Sequence, residues 1–537
     1  MALIQRTRGM TVAGALSNRA TVDPESPFIL FDDDVMTFGQ LEERAESLAA
    51  SLANLGIGTR DRIALVLPAC PEFVISMFAA AKLGAVIVPL NPRLTLPELQ
   101  YMLRHSEAAA AVCIETLDDV DYLQVFEDLM PQLPELQYLV TVGEEDLWYD
   151  DRIFQFEDAL SAGAGRDYEA PAVDPGEAVF TILYTSGTTG KPKGVELTHS
   201  ALLETAAATS DAVGLTAEDR IVGVSALFHV FGLGPGILGA LSAGSSLVLQ
   251  DGFDAGETLA LIERLGVTVQ YGVPTLFITE LNLLQAEGRD VSSLRLGLAA
   301  GAPVSDDLVR RVEDGLCPTF LVAYSLTETG STVSVTRPGD PAAKRRHTVG
   351  RALEQNEVRV LESDGTELPV ESVGEIAVRG PGLMTGYSRQ PGETSRAFGA
   401  EGFFLTGDLG MVDEDGFVHL VGRRKAVIIR GGFNVHPREV EYRLQSHPAV
   451  HEAAVVGVPD EVLGEAICAC IVPLEGAIVT GQELQDWCRV TLADYKIPDQ
   501  VRFLDTFPRT GTGKIRRVEL ARVVSGRATQ PPGLEPT

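Results

Sequence analysis

Residues 184–195 read Tyr184-Thr185-Ser186-Gly187-Thr188-Thr189-Gly190-Lys191-Pro192-Lys193-Gly194-Val195, and we call this segment the phosphate loop. A β-like run, residues 179–183, comes directly before it. Its three glycines let the backbone turn N–H groups toward an anion, and its four Ser and Thr hydroxyls add donors. Two lysines supply positive charge. The segment therefore predicts a binding site for a polyphosphate.

The phosphate loop is not a Walker A loop. That pattern needs a glycine five places before Gly190, where Thr185 stands, and a hydroxyl after Lys191, where Pro192 stands. A plain glycine-rich surface turn is the ordinary alternative for such a run. It is disfavoured here because the chain has only seven lysines, and two of them lie in this segment.

The overall charge excludes some classes of partner. The chain has 537 residues, with 43 basic and 75 acidic side chains and a net charge of −32. This balance argues against a general nucleic-acid binder and against a polybasic membrane surface. The six cysteines show no C-x-x-C spacing, and this usage fits a reducing, cytoplasmic location. Cys468 and Cys470 are expected to be a buried apolar pair on one face of a strand.

The first part of the chain alternates helix-like and strand-like runs. Thr37 and Gln40 predict a capping box before a helix with apolar residues at helical spacing. Residues 62–67 and 85–90 are predicted strands, with a helix at 72–83 between them. Such β-α-β units indicate parallel sheets covered by helices, which makes the fold class α/β.

The sequence predicts two domains and a loose tail. The segments shorten after residue 423, with a helix predicted at 437–444 and strands at 453–458 and 466–472. We expect an N-terminal domain at 1–424, a C-terminal domain at 425–525 and a flexible tail at 526–537. Residues 221–250 carry no Asp, Glu, Lys or Arg. Glycines interrupt this run, so it is interpreted as a buried strand and helix, and no membrane span or signal peptide is expected.

The phosphate loop resembles the signature of the adenylate-forming superfamily, which contains acyl-CoA synthetases, adenylation domains and firefly-type luciferases. Further motifs follow in the order of that superfamily as far as Lys514. The resemblance implies a large N-terminal domain of parallel αβ layers with a β-barrel-like subdomain, and a small mobile α+β C-terminal domain. It also implies that the site binds ATP, Mg²⁺ and CoA.

The resemblance assigns roles to residues of the N-terminal domain. The phosphate loop would hold ATP through Thr185, Ser186, Gly187, Thr188, Thr189, Gly190 and Lys193. His229 would line the acyl pocket near the substrate carboxylate. Gly301, Ala302 and Pro303, with Tyr324, would enclose the adenine. Thr327 would bind the α-phosphate, and Thr185 and Glu328 would hold Mg²⁺. Ser325 departs from the pattern, since the family usually has glycine there.

The remaining motifs concern the ribose and the C-terminal domain. Asp408 and Arg423 match the ribose-binding pair of the family. Lys425 stands at its hinge position, although the following Ala426 replaces a frequent Asp. Gly431 and Gly432 lie in a segment that resembles the loop lining the pantetheine tunnel. Lys514, in Pro508-Arg509-Thr510-Gly511-Thr512-Gly513-Lys514, resembles the catalytic lysine on a mobile glycine-rich loop.

These motifs imply an AMP-forming acyl-CoA ligase. A carboxylic acid and ATP would give an acyl-adenylate and pyrophosphate, and CoA would then give acyl-CoA and AMP. The strings at 228–233 and 271–277 most resemble those of fatty-acyl-CoA synthetases, which implies a fatty acid as substrate. They are apolar and hold no Arg or Lys to pair a second carboxylate, which disfavours a dicarboxylate.

Two alternatives stay open. One is a ligase for an aryl or natural-product acid that passes its product to a carrier protein, and the other is a non-catalytic ATP-binding module. The expected partners are small molecules, with no nucleic acid, and a homodimer is compatible with the sequence.

Overall fold

The computed structural model describes residues 3–145, 147, 150–185, 192–223, 226–424, 427–430, 433–460, 463–492, 494–509 and 514–525. The chain divides into two compact units. The first comprises residues 1–304, 308–358 and 378–404, and the second comprises residues 305–307, 359–377 and 405–537. The predicted hinge residue Lys425 and the predicted tail at 526–537 lie outside the described residues.

The helices of the described residues are α1 (Leu3–Thr7), α2 (Val12–Val22), α3 (Phe38–Asn54), α4 (Pro71–Lys82), α5 (Leu96–Ser106), α6 (Tyr122–Leu129), α7 (Phe156–Gly163), α8 (His199–Val213), α9 (Gly239–Ala243), α10 (Ala255–Leu265), α11 (Pro274–Glu287), α12 (Asp306–Gly315), α13 (Ala342–His347), α14 (Pro391–Ala397), α15 (Pro437–Gln445), α16 (Gly481–Arg489) and α17 (Arg517–Val524). A π-helix, Gly232–Leu238, runs directly into α9.

The strands are β1 (Pro27–Phe31), β2 (Asp34–Thr37), β3 (Arg62–Val66), β4 (Val86–Pro89), β5 (Ala110–Ile114), β6 (Thr116–Leu117), β7 (Val120–Asp121), β8 (Tyr138–Val142), β9 (Ile153–Gln155), β10 (Val179–Thr185), β11 (Lys193–Thr198), β12 (Arg220–Val222), β13 (Ser246–Val248), β14 (Val269–Gly272), β15 (Leu296–Ala299), β16 (Phe320–Leu326), β17 (Ser331–Val335), β18 (Arg351–Ala352), β19 (Glu357–Leu361), β20 (Gly374–Arg379), β21 (Gly386–Tyr387), β22 (Phe404–Val412), β23 (Val418–Arg423), β24 (Ile428–Arg430), β25 (Phe433–Val435), β26 (Val450–Asp460), β27 (Gly464–Pro473) and β28 (Gln500–Phe503).

Two large sheets form the first unit. One has the strand order β18-β17-β16-β15-β14-β12-β13-β1-β2, and the other has the order β21-β11-β10-β4-β3-β5-β8-β9. Their central strands pair in parallel, whereas β2, β11, β17, β18 and β21 make antiparallel edges. The fold is therefore α/β with mostly parallel sheets, as the sequence predicts.

The start of α3 shows how the sequence sets one of these elements. The Thr37 side chain accepts from the Gln40 backbone N–H at 3.3 Å, and the Gln40 side chain accepts from the Thr37 N–H at 2.9 Å. This reciprocal bonding satisfies two backbone donors at the helix start, and it confirms the predicted capping box. Leu41, Ala45 and Leu48 then face the core and are fully buried.

One continuous apolar core lies between the two sheets. It combines side chains of α2, α3, α4, α8 and the π-helix with the inner faces of both sheets. A second core covers the opposite face of the sheet that contains β3, β4 and β5, where α5 and α6 pack. These cores fix the positions of the strands β10, β14, β15 and β16.

The charge-free run at 221–250 is buried, as the sequence predicts. It forms the end of β12, then the π-helix, α9 and β13. Gly232 is required at the start of the π-helix, since a Cβ there would lie 2.3 Å from the carbonyl oxygen of Ala226. Within the described residues, the structure contains no helix with the length and apolar character needed to cross a membrane.

The second unit has its own sheets and cores. A four-stranded sheet has the order β19-β20-β22-β23, and a second sheet has the order β25-β24-β27-β26 with β28 beside β27. Apolar residues of α15 and α16 pack on one face of this second sheet, and Leu520 of α17 packs on the other. Cys468 and Cys470 are both buried under α17, which confirms the predicted buried pair.

Candidate functional site

Several predicted site residues lie at the carboxyl edge of a parallel sheet in the first unit. Gly301, Ala302 and Pro303 follow the end of β15 and are exposed. The backbone of Gly301 has φ +81°, which suits glycine. Tyr324 lies near the end of the neighbouring strand β16 and is buried. Ligands of open α/β sheets bind outside the carboxyl ends of the strands, so these residues occupy the expected position.

The two ends of the phosphate loop are held together as a β-hairpin. β10 and β11 are antiparallel, and Thr185 is the register partner of Lys193. Ser186, Gly187, Thr188, Thr189, Gly190 and Lys191 lie outside the described residues. The structure therefore places the base of the loop, and the phosphate contacts of its turn stay predictions.

Helix α5 supports this hairpin from the side. The Tyr184 hydroxyl donates to the Met102 carbonyl at 3.2 Å and lies 2.8 Å from His105 Nδ1. The Tyr101 hydroxyl donates to the Pro192 carbonyl at 3.3 Å. Burial raises the pKa of Tyr184 and lowers the pKa of His105, so both side chains are neutral near pH 7. Uncharged hydrogen bonds thus fix the hairpin.

Lys193 has two partners in the same unit. Its Nζ lies 2.6 Å from a carboxylate oxygen of Glu393 and 4.6 Å from the ring centroid of Tyr387. The hydrogen bond from Lys193 is the main cause of the lowered pKa of Glu393. The ammonium group is thus held between a carboxylate and an aromatic face, both of which attract a cation.

Glu328 lies in a short 3₁₀ turn, Thr327–Thr329, that joins β16 to β17. Its carboxylate is half-buried, and Oε1 accepts a hydrogen bond from the Tyr387 hydroxyl at 3.0 Å. Thr329 Oγ1 lies 3.1 Å from the Leu326 carbonyl and 2.9 Å from the Ser331 carbonyl, which tightens the turn. Strand β11 contacts this turn, so the phosphate hairpin and the predicted magnesium ligand are neighbours.

The serine that departs from the family pattern has a local partner. Ser325 Oγ lies 3.2 Å from Ser331 Oγ, across the turn that carries Thr327 and Glu328. Ser331 is fully buried and has φ +103°, an uncommon conformation for a residue with a side chain. The hydroxyl pair therefore closes the turn.

His229 begins the segment that leads into the π-helix. Its Nδ1 accepts from the Phe231 N–H at 3.2 Å, and its carbonyl accepts from the Leu233 N–H at 2.9 Å. An accepting Nδ1 assigns the proton of the neutral ring to Nε2. His229 is half-buried, and its predicted contact with the substrate carboxylate stays a prediction.

In the second unit, the predicted ribose pair is in contact. Asp408 and Arg423 are register partners of the antiparallel strands β22 and β23. Arg423 Nε lies 2.8 Å from Asp408 Oδ1, with the Asp408 side chain buried and the Arg423 side chain 60% exposed. The spacing of 423 − 408 = 15 residues is thus the span of a hairpin that returns to its partner.

The predicted C-terminal lysine lies beside an isolated β-bridge. Arg509 and Ile515 form an isolated β-bridge, and the Arg516 N–H donates to the Pro508 carbonyl at 2.8 Å. Lys514 is exposed next to this bridge. Gly431 and Gly432, like Lys425, lie outside the described residues, so their roles stay predictions.

Two residues of this arrangement were missed at the level of sequence: Tyr387 and Glu393. Tyr387 is separated from Glu328 by 59 positions, and Glu393 from Lys193 by 200. No periodicity reveals such contacts. The sequence offers one local signal. The Gly386-Tyr387 pair followed by Pro391 indicates a short strand and then a helix start, and these two elements carry the side chains of Tyr387 and Glu393.

Known proteins are similar to this chain in both sequence and fold. Residues 16–388 match the AMP-binding enzyme family, and residues 439–514 match the AMP-binding enzyme C-terminal domain. The feruloyl-CoA synthase of Amycolatopsis sp is 35% identical, over 94% of this chain and 97% of its own. The mitochondrial medium-chain acyl-CoA ligase of Bos taurus is 30% identical, over 93% of this chain and 84% of its own.

Solved structures give the same result. The anthranilate CoA ligase AuaEII in complex with anthranoyl-AMP superposes with a TM-score of 0.89 at 28% identity, over 98% of this chain and 99% of its own. The chain therefore belongs to the AMP-binding enzyme family of the adenylate-forming superfamily. Within that class it is an AMP-forming acid–CoA ligase with ATP and CoA as substrates, which confirms the predicted enzyme class.

Proposed function

We propose that this ligase activates a monocarboxylic acid with an apolar body, first of all a fatty acid. The carrying observation is the apolar packing of the segment that follows His229. The rings of Phe231 and Tyr271 lie 5.5 Å apart, and Tyr271 and Leu233 are fully buried. An uncharged wall of this kind favours the apolar part of an acid over a second carboxylate.

Magnesium is part of this proposal, because the donors present fit it. Glu328 is a half-buried carboxylate that accepts a hydrogen bond from the neutral phenol of Tyr387, and among the described residues no cation pairs with it. Mg²⁺ is often bound by one or two carboxylates together with substrate phosphates. Glu328 and Thr185 would hold the ion, which would supply positive charge where the phosphates carry negative charge.

The protein's own residues would then act mainly by position and charge. Lys193 and the phosphate loop would hold the outer phosphates of ATP, and His229 would orient the acid. Lys514 would supply an ammonium group where the carboxylate approaches the α-phosphate, since two anions repel each other there. In the second half-reaction, the C-terminal domain would turn at Lys425 and bring Gly431 and Gly432 toward CoA.

An aryl acid is the second candidate substrate. The feruloyl-CoA synthase and the anthranilate CoA ligase to which the chain is similar act on aromatic acids, by their names. Phe231 and Tyr271 could bound a flat slot as well as an acyl tunnel. Under this alternative, a carrier protein could replace CoA as the acceptor.

A pyrophosphate-release assay over a panel of acids tests the proposal. The panel should contain saturated fatty acids of increasing length, benzoate and cinnamate derivatives, and matched dicarboxylates, each with and without CoA. We expect release with fatty acids, acyl-CoA formation only with CoA, and at most weak release with dicarboxylates. Preference for aryl acids would support the second candidate, and no release with any acid would support a non-catalytic ATP-binding module.

A further inference from the structure

The segment Met384–Ser388, which we call the strap, joins the two parts of the site that handle phosphate and metal. Its backbone bonds to both. The Met384 N–H donates to the Glu328 carbonyl at 2.9 Å, and the Ser388 N–H donates to the Gly194 carbonyl at 2.7 Å. Tyr387 in the strap is the register partner of Val195 in β11. The strap is therefore fixed at one end to the Glu328 turn and at the other to the phosphate hairpin.

The Tyr387 side chain makes the same connection a second time. Its hydroxyl donates to Glu328 Oε1 at 3.0 Å, and its ring faces Lys193 Nζ at 4.6 Å from the centroid. The Tyr387 N–H in turn donates to Thr394 Oγ1 at 2.9 Å, which fixes the residue from its other side. One half-buried residue thus contacts the acidic and the basic member of the site.

The chemistry of the phenol suits a fixed support. The phenol is a neutral hydrogen-bond donor, and its 3.0 Å contact places that donor on Glu328 Oε1. A neutral donor orients a carboxylate without neutralising it, unlike a lysine or an arginine. The contact therefore leaves Glu328 able to bind a cation. Glu393 holds Lys193 over the Tyr387 ring through an ion pair of 2.6 Å.

We propose that Tyr387 is a positioning residue that sets Glu328 and Lys193 relative to each other, so that metal and ATP phosphates are bound together. The hydroxyl would orient the metal ligand, and the ring would support the lysine. This inference rests on the proposed roles of Glu328 and Lys193. A residue that holds a metal ligand from behind commonly changes metal affinity by roughly ten- to hundredfold when it is lost.

Two variants separate the two contacts of Tyr387. Tyr387→Phe removes the hydroxyl and keeps the ring under Lys193, whereas Tyr387→Leu removes both. We expect Tyr387→Phe to weaken binding of Mn²⁺ in the presence of ATP about tenfold or more, while binding of metal-free ATP changes little. Tyr387→Leu should weaken both. Tyr138→Phe, which removes a phenol that packs on Phe154 far from these residues in sequence, is the matched control.

The measurements are Mn²⁺ binding by electron paramagnetic resonance, ATP binding by calorimetry, and the Mg²⁺ dependence of pyrophosphate release. Unchanged Mn²⁺ binding in Tyr387→Phe, or equal loss with and without metal, would overturn the inference. A lower melting temperature with unaltered metal dependence would indicate a merely structural residue and would also overturn it. Because the binding experiments need no acid substrate, they test the inference even if the proposed substrate is wrong.

Discussion

Glu280 is an acidic residue in the interior of the first unit, a position that its sequence context does not reveal. It lies on α11 and is fully buried, with the Gln270 amide nitrogen 2.6 Å from each of its carboxylate oxygens. Burial raises the pKa of Glu280 from 4.5 to about 8. The carboxyl group is therefore mostly protonated near pH 7, because an ion at this place would lose its hydration.

The raised pKa of Glu280 gives a prediction for stability against pH. A group with a raised folded pKa stabilises the fold fully below its unfolded pKa, and that contribution is lost as pH rises toward the folded value. Between about pH 4.5 and 8, the unfolded chain ionises Glu280 while the folded chain keeps it protonated, so stability should fall by at most about 1.4 kcal/mol per pH unit. Glu280→Gln should remove this term, so its melting temperature should rise relative to the wild type as pH increases from 5 to 8.

Thermal unfolding of both proteins across this pH range checks the Glu280 prediction. Glu263→Gln is the matched control, since Glu263 lies on the neighbouring helix α10 with its side chain 45% exposed and a long contact of 3.4 Å to Arg289. The control should follow the wild type. If the difference in melting temperature between Glu280→Gln and the wild type were independent of pH, the buried carboxyl would not titrate as described.

At the scale of elements, the π-helix is the part that depends most on particular glycines. It begins three residues after His229, and its first residue, Gly232, leaves no room for a methyl group. A Cβ there would meet the Ala226 carbonyl oxygen at 2.3 Å and its carbon at 2.9 Å. Both are backbone atoms, which cannot move aside as a flexible side chain can. The turn that holds His229 would have to shift instead.

Gly232→Ala and Gly234→Ala test this dependence as a matched pair within one element. A Cβ at Gly234 would have its nearest neighbour at 3.6 Å, which is ordinary packing distance. We expect Gly232→Ala to lose about 1–3 kcal/mol of stability and to reduce kcat/KM for the acid, as overpacked cores do. Gly234→Ala should lose much less of either. Equal effects in melting temperature and kcat/KM would contradict the steric account.

The elements themselves were largely predictable from the sequence, because local signals specify them. The capping box at Thr37, the alternation of apolar runs and the glycine-broken segment at 221–250 all have local causes, and the structure confirms each. The boundaries shift by a few residues: the strand predicted at 453–458 extends over Val450–Asp460 because it pairs along its length with β27. Pairing partners set strand ends, and those partners are distant in sequence.

The contacts of the candidate site were predictable only between residues that belong to one sequence motif. The spacing of Asp408 and Arg423 corresponds to a hairpin, and the structure brings the two side chains to 2.8 Å. The support of Glu328 by Tyr387 could not be predicted, since β21 reaches β11 only through the folding of a long intervening chain. Residues that position others in this way leave no pattern of their own.

At the scale of the whole molecule, the contacts of the few lysines indicate which of them have a structural role. Lys82 is buried, with Nζ at 2.7 Å from Glu42 and 2.8 Å from Glu46, and Lys496 lies 2.6 Å from Glu439. These two hold helices in place. A chain with a net charge of −32 cannot attract ATP and CoA by its overall field, so we propose that local cations such as Lys193 and Lys514 do so.

We expect this chain to perform adenylation and thioester formation with different residues, and Lys514→Ala is the variant that separates the two half-reactions. Adenylation should be measured as acid-dependent pyrophosphate release, and thioester formation as acyl-CoA production from supplied acyl-adenylate and CoA. Lys344→Ala, a lysine outside the motifs, is the control. We predict a loss of about hundredfold or more in adenylation, as for other removed charge-stabilising groups, with thioester formation nearly unchanged. Equal loss in both half-reactions, or no loss in adenylation, would contradict the account.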